Sequence, residues 1–401
     1  MRNLTIAAVL TMLPLTGVGV IDAQAQEKGE IIFGVAAAAS GWMAAYDEPA
    51  VNSARLAIEE LNARGGLLGR QVKFLHVDNK TDRAQSAKAG VELMQEGAEF
   101  LMISCDFDIG APSALVANQN GVVSMSTCGG AIELGNKSAG DMVYSMASEG
   151  GSTGALLADW AYQVKGWRTA YTLLDVTIEY DKSLCRGFTD EFTNLAGADS
   201  VILADTFKNN DPSISGQISR YKTLPAEADI IMLCSYTPGQ GSAIRQLRAA
   251  GVTAPIMTGT VGDGDAWVAA VPNLSDFFYS SYVSLRGDDP RPEVSDFVGR
   301  YTTRYGERPP MGLAITGYSV VEAWSSAVER AGSTDGRKVN AELEKFQREP
   351  FLVGATTFTP DFHMNEAQIR PMVIFEYVDG KPIPLGYYDM QQHKMVEWWK
   401  E

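Results

Sequence analysis

VKFLHVDNKTDRAQSAKAGVELMQEGAEFLMIS, residues 72–104, sets the reading of the whole chain. Residues 72–78 are rich in β-branched and aromatic side chains and read as a strand. Residues 82–96 read as a helix that opens on Asp82, and 100–104 form a second short apolar strand. The same order repeats on both sides. Upstream, 31–36 is a strand, and Ala54, Ala57, Ile58 and Leu61 follow helical spacing until Gly65-Gly66 stops the helix. Downstream, 109–120 reads as a helix and 122–125 as a strand. Strand and helix in alternation predict a parallel sheet wrapped by helices.

A second run of the same kind follows. Residues 152–164, 180–196 and 239–250 read as helices, and 169–174, 201–206 and 230–234 as strands. No sequence repeat links the halves; only the order of elements is shared. A length of 401 residues also suits two domains. The tail holds a strand at 278–283, helices at 293–305, 313–330 and 335–347, and a late hairpin at 373–386 turning on Asp379-Gly380. These are too few for a third domain, so they are expected to return and complete the two halves. The expected fold is α/β, with two Rossmann-like lobes built on parallel sheets and joined by a hinge that the chain crosses more than once. One lobe is expected to take 26–147 with 281–360, the other 148–280 with 361–401.

Residues 1–25 read as a secretory signal. Arg2 is the basic start, 4–21 the apolar segment, and Ala23-Gln24-Ala25 the small-x-small site, with cleavage after Ala25. A membrane anchor is the competing reading, weakened by Pro14, Gly17 and Gly19. Export places the chain in the periplasm, where disulfides form. Cys105 and Cys128 each follow a short strand, so adjacent parallel strands would bring them together; Cys185 and Cys234 then remain as the second pair. Four buried free thiols are the alternative. The net charge of −16 argues against nucleic acid as a partner.

Ligands of such sheets bind beyond the carboxyl ends of the strands. The loops there carry an aromatic with a polar or acidic group at nearly every mouth: Ser40-Gly41-Trp42 through Tyr46, Asp106-Phe107-Asp108, Ser126-Thr127-Cys128-Gly129-Gly130, Glu179-Tyr180, Ser235-Tyr236 and Gly262-Asp263-Gly264-Asp265. Aromatics make rigid walls and a few polar groups fix orientation. On this reading Trp42, Tyr46, Phe107, Tyr180 and Tyr236 enclose an apolar body, Asp106, Asp108 and Asp263 meet a cationic or donor end, and Cys128, Gly129 and Gly130 let backbone approach. Each Asp also precedes a helical pattern, so helix capping is its plainer role.

In these loops and beyond, the chain resembles the type I periplasmic binding proteins of the branched-chain amino acid (Leu/Ile/Val) ABC transporter class. The likeness rests on Ser40-Gly41 through Tyr46, on the helix end Asn62-Ala63-Arg64-Gly65-Gly66, on the turn Asp78-Asn79-Lys80-Thr81-Asp82, and on Arg308-Pro309-Pro310 with Gly317-Tyr318 and Ala327 to Gly332. It implies a solute-binding protein that closes on a small molecule and serves a membrane permease, with Tyr46, Tyr180 and Tyr236 as aromatic contacts. Members that bind α-amino acids hold the carboxylate with hydroxyls, where this chain has Asp106-Phe107-Asp108 and Cys128-Gly129-Gly130. Asp263, or failing that Asp265, stands for the acid that meets the ammonium.

The three histidines, His76, His363 and His393, lie in no metal-binding pattern, and no phosphate or dinucleotide fingerprint occurs. Neither a cofactor nor a metal is expected, and the chain is expected to be a monomer without enzymatic activity. Gly150-Gly151-Ser152-Thr153-Gly154 does fit the G-x-S-x-G of a nucleophile elbow. An α/β hydrolase using Ser152 is therefore an alternative, as is a soluble sensor subunit for a membrane receptor.

Overall fold

The computed structural model describes Met1 and residues 29–397 apart from Lys137 and Ala266; the expected signal and its cleavage point lie outside the described residues. The first lobe is built from β1 (Ile31–Ala37), α1 (Ala44–Ala63), β2 (Val72–Asp78), α2 (Arg83–Gln95), β3 (Phe100–Ile103), α3 (Phe107–Gln119), β4 (Ser124–Ser126) and β5 (Val143–Ser145). Its strands form a parallel sheet in the order β2-β1-β3-β4-β5. The second lobe follows with α4 (Gly150–Gln163), β6 (Ala170–Asp175), α5 (Glu179–Ala196), β7 (Val201–Phe207), α6 (Ser215–Tyr221), β8 (Ile230–Cys234), α7 (Gly239–Ala249), β9 (Ile256–Thr258) and β10 (Phe277–Ser281). The chain then returns to the first lobe with α8 (Pro292–Tyr305), α9 (Ala314–Ala331), α10 (Gly336–Leu343) and the short hairpin β11 (Glu349–Phe351) and β12 (Gly354–Thr356). It ends in the second with β13 (Met372–Val378), β14 (Lys381–Asp389) and β15 (Lys394–Val396).

The second sheet is parallel over β10-β9-β8-β6-β7 and carries the expected late hairpin as an antiparallel edge. Its order is β15-β14-β13-β10-β9-β8-β6-β7, and β13 runs antiparallel to β10, as do β14 and β15 to their neighbours. For β13 and β14 the cause is local: Asp379 and Gly380 both take positive φ, 50° and 76°, and a two-residue turn of that kind can only join antiparallel strands. The helix expected over 335–347 also stops at Leu343, and beyond it Phe346 is wholly buried.

Two close helix contacts depend on glycine. A Cβ on Gly317 of α9 would lie 1.8 Å from the Ala50 carbonyl oxygen of α1. Between α4 and α5, a Cβ on Gly187 would lie 2.0 Å from the Gly151 oxygen, and one on Gly154 would lie 2.2 Å from that of Leu184. Only a residue without a side chain lets backbones approach so closely.

The chain passes between lobes three times, after β5, after β10 and after β12. These segments bond to one another. The Ser145 N–H donates to the His363 carbonyl, that of Glu149 to Asn365, and that of Asn365 back to Ala147. The Ser148 N–H donates to the Tyr282 phenol oxygen at 3.1 Å. Arg370 ties them together. Its guanidinium donates to the carbonyls of Ala355 and Met146, each at 2.9 Å, and to the Thr356 hydroxyl at 2.8 Å, and it lies 5.9 Å from the Tyr282 ring centre. The side chain is 1% exposed, and burial lowers its pKa to about 10.

Arg370→Met strands those acceptors and is expected to cost about 3 kcal/mol or more of stability. Arg370→Lys is expected to lose most of the same amount, because a point charge cannot serve three acceptors in a plane. Urea unfolding measures both, and variants as stable as the wild type would remove the staple role.

Candidate ligand-binding cleft

The carboxyl ends of both sheets face one narrow cleft with about 390 Å³ of space free of protein atoms, counted out to its mouth. The cavity volume proper is about 30 Å³, so the walls stand nearly closed on one another. Its walls are Trp42, Met43, Tyr46, Cys105, Asp106, Cys128, Gly130, Ile178, Tyr180, Tyr236, Thr260, Val261 and Leu313. The structure thus brings together Trp42, Tyr46, Asp106, Cys128, Gly130, Tyr180 and Tyr236 from five separate stretches of the chain. A Cβ on Gly130 would sit 2.7 Å from the Tyr180 ring, so that ring can occupy its place only against glycine.

The lobes meet across this cleft. The rings of Trp42 and Tyr236 are 4.6 Å apart, and the Thr237 N–H donates to the Tyr46 phenol oxygen at 3.2 Å. The Tyr180 and Thr260 hydroxyls share a hydrogen bond at 3.2 Å. Two disulfides brace the walls. Cys105–Cys128 joins the ends of β3 and β4 with Cα atoms 4.6 Å apart, and Cys185–Cys234 joins α5 to the end of β8 at 5.8 Å.

Four residues expected at the site lie elsewhere. Phe107 packs against the core behind the first sheet. Gly129 serves the disulfide loop, where a Cβ would strike Leu134 and the Cys105 carbonyl. Asp108 pairs with Arg83 and accepts the Glu179 N–H at 3.1 Å. The end of α5 has no side-chain cap of its own, because Ile178 holds that position; a carboxylate of the first lobe therefore caps a helix of the second. Asp263 accepts the Ser281 hydroxyl at 2.7 Å and the Gly312 N–H at 2.6 Å, and it faces a neighbouring hollow that meets the cleft at Tyr46. Asp265 is taken by Arg286 and Arg308.

Several positions on or under the cleft wall were not expected from the sequence. Met43, Ile178, Thr260, Val261 and Leu313 are plain wall residues. Asp47, in the first turn of α1, accepts the N–H groups of Ala38 and Cys105, both at 2.7 Å, and the Ser104 hydroxyl, so it bolts β1 to β3 under the cleft. Burial raises its pKa to about 6. In the second lobe Asp175 does similar work, accepting Thr177, Asn209 and Ser235. Asp181 is wholly buried in the first turn of α5, and neither of its oxygens has a hydrogen-bond partner. Burial, then Asp175 and Asp106, hold its carboxyl well above the usual carboxylate range.

Ser152 is no poised nucleophile here. Its hydroxyl donates to the Glu149 carbonyl at 2.7 Å and accepts the Ala367 N–H at 3.0 Å. Among the described residues, His76 bonds the Ala37 carbonyl, His363 that of Val143, and His393 meets Asp159; none reaches Ser152. Nor is any group of three or more His, Cys, Asp or Glu among them arranged to hold a metal ion.

Two α/β lobes, a triple crossing and a narrow cleft between strand ends define a solute-binding protein of the type I architecture. The chain belongs to the periplasmic binding protein family, whose sequence profile matches residues 30–381. It is 22% identical to the Leu/Ile/Val-binding protein homolog 3 of Brucella melitensis, over 89% of this chain and 94% of that one. It is 20% identical to a Pseudomonas aeruginosa protein named amino acid binding protein, over 87% and 91%. Among solved structures, the LivJ substrate-binding protein of Streptococcus pneumoniae, in complex with isoleucine, superposes with a TM-score of 0.76 at 20% identity, over 88% of this chain and 97% of that one. A solute-binding protein of Rhodopseudomonas palustris in complex with benzoate gives 0.73 at 19% identity, over 90% and 96%.

Asp106 is both wall and cap: it accepts the Asp108 N–H at 2.9 Å at the start of α3. Burial, with Asp108 beside it, pushes its pKa up to about 7. The folded state therefore holds that proton more tightly than the unfolded chain, and stability is lost as pH rises from about 4 through 7. Asn caps a helix as well as Asp. Asp106→Asn is accordingly expected to melt above the wild type at pH 8, by a margin on the order of a few kcal/mol that closes toward pH 4. A difference independent of pH in thermal scans would refute this account.

Proposed function

We propose that the protein captures one small amphipathic molecule, an amino acid or a related amine, amide or aromatic compound, in the periplasm. It delivers that molecule to the membrane permease of an ABC importer without turning it over. The observation that carries the reading is the convergence of seven loop residues from both lobes on one cleft sealed by cross-lobe contacts. Isoleucine and benzoate, each present in a similar structure, share a compact apolar body, and it is such a body that the apolar walls here suit. The two lobes divide at 26–147 with 281–360 and 148–280 with 361–401, residues 1–25 are removed on export, and the protein acts as a monomer. Among the described residues no helix is long and apolar enough to cross a membrane. The hydrolase reading is disfavoured by the packing role of the Gly154 and Gly187 contacts and by the engaged Ser152 hydroxyl.

A thermal-shift screen against amino acids, amines, amides and aromatic acids tests the reading, since a ligand that binds only the folded state raises its melting temperature. Closure on a hit is expected to change the fluorescence of Trp42, and Trp42→Phe removes that signal. Asp108→Ala takes away the cross-lobe cap of α5 without touching the cleft. It is expected to weaken any hit by about tenfold and to enlarge the unliganded protein in solution scattering. Unchanged affinity and unchanged scattering would show that Asp108 holds nothing closed.

A further inference from the structure

The cleft gives its ligand no positive partner. None of its wall residues is Lys, Arg or His, while Asp106 stands on the wall itself. Asp181 lies close behind. It sits in the first turn of α5, the next residue after the wall ring of Tyr180. It is wholly buried, and both of its oxygens lack a donor, a costly arrangement for a carboxyl group unless something brings donors to it. Of the wall hydroxyls, those of Tyr180 and Thr260 bond each other and that of Tyr46 accepts the Thr237 N–H, so the donors left to a ligand are neutral phenols. A ligand carboxylate would meet two acids and no cation. The remaining wall is flat and apolar, with Trp42, Tyr236, Tyr180, Ile178 and Val261 around the same space.

We propose that the ligand is a small organic cation, an ammonium, amidinium or guanidinium on a compact apolar or aromatic body, whose N–H groups face Asp106, with Asp181 as the second, unpartnered carboxyl behind it. This rests on the reading of the cleft as the ligand site. The rings supply the body's walls and add a favourable face for the cation. A zwitterionic α-amino acid is disfavoured because its carboxylate finds no partner, and an aromatic acid more so.

Pairs of equal shape and opposite charge decide the matter. Benzamidinium against benzoate, and isopentylammonium against isovalerate and leucine, are titrated calorimetrically into the exported protein at pH 7.5. The cation of each pair is expected to bind at least about tenfold more tightly, and Asp106→Asn and Asp181→Asn are each expected to weaken cation binding by about tenfold. Asp181→Asn is also expected to melt no lower than the wild type, because it removes a buried carboxyl group that has no donors, so lost binding is not lost folding. Tighter binding of the anion or of leucine, or full cation affinity in Asp181→Asn, overturns the inference. If an anion or leucine wins and Tyr180→Ala weakens it, the solute-binding reading stands and only the charge assignment falls. If none of these compounds binds, the cation assignment falls, and the broader screen above decides the parent reading.

Discussion

Arg370 is a cation removed from water without a carboxylate to answer it. Among the described residues its partners are two carbonyls, one hydroxyl and the face of a tyrosine ring, and they come from all three segments that pass between the lobes. If any of those segments moves away, the guanidinium loses acceptors it cannot replace, and an unpaired buried charge is among the costliest defects a fold can carry. The crossings are therefore held in one register. Everything at the cleft follows from that register, since the strand ends of one sheet can oppose those of the other only if the connections between them are fixed. Asp47 and Asp175 repeat the device inside each lobe with the opposite sign, gathering N–H and hydroxyl donors from adjacent strand ends.

The glycines of 150–154 show how a motif can carry a physical reason other than the one it advertises. In a nucleophile elbow, glycines make room for a sharp turn around a reactive serine. Here Gly151 and Gly154 face Gly187 and Leu184, and their lack of side chains lets α4 and α5 pack backbone to backbone. The Ser152 hydroxyl is spent on the Glu149 carbonyl and the Ala367 N–H. The requirement for small residues is real, but the partner is a helix.

Much of the fold was legible in the sequence because it is written in local patterns. The strand at 230–234 and the turn at Asp379-Gly380 were read where they lie, since apolar runs and positive-φ residues act within a few positions. Elements of a few residues, such as β5, β11 and β15, were missed, because three residues carry no periodicity and are held by their neighbours alone. At the site, the wall aromatics were found from their positions after strands. The acids were harder. Asp106, Asp108 and Asp263 look alike in sequence, yet one lines the cleft, one caps a helix of the other lobe and one braces a neighbouring loop. Asp181 escaped notice because it reads as an ordinary first-turn helix acid; only its burial sets it apart.

The cap that Asp108 supplies to α5 separates two properties usually tied to the same residues. On the proposed reading, how firmly the lobes hold together depends in part on a carboxylate off the cleft wall, whereas what they accept depends on the rings and the acid that line it. Substitutions at Asp108, or at the exposed Arg83 that pairs with it, can thus reset the strength of capture over generations while leaving the choice of cargo untouched. A scaffold divided in this way can be retuned to scarce or plentiful supply without first being redesigned for a new molecule.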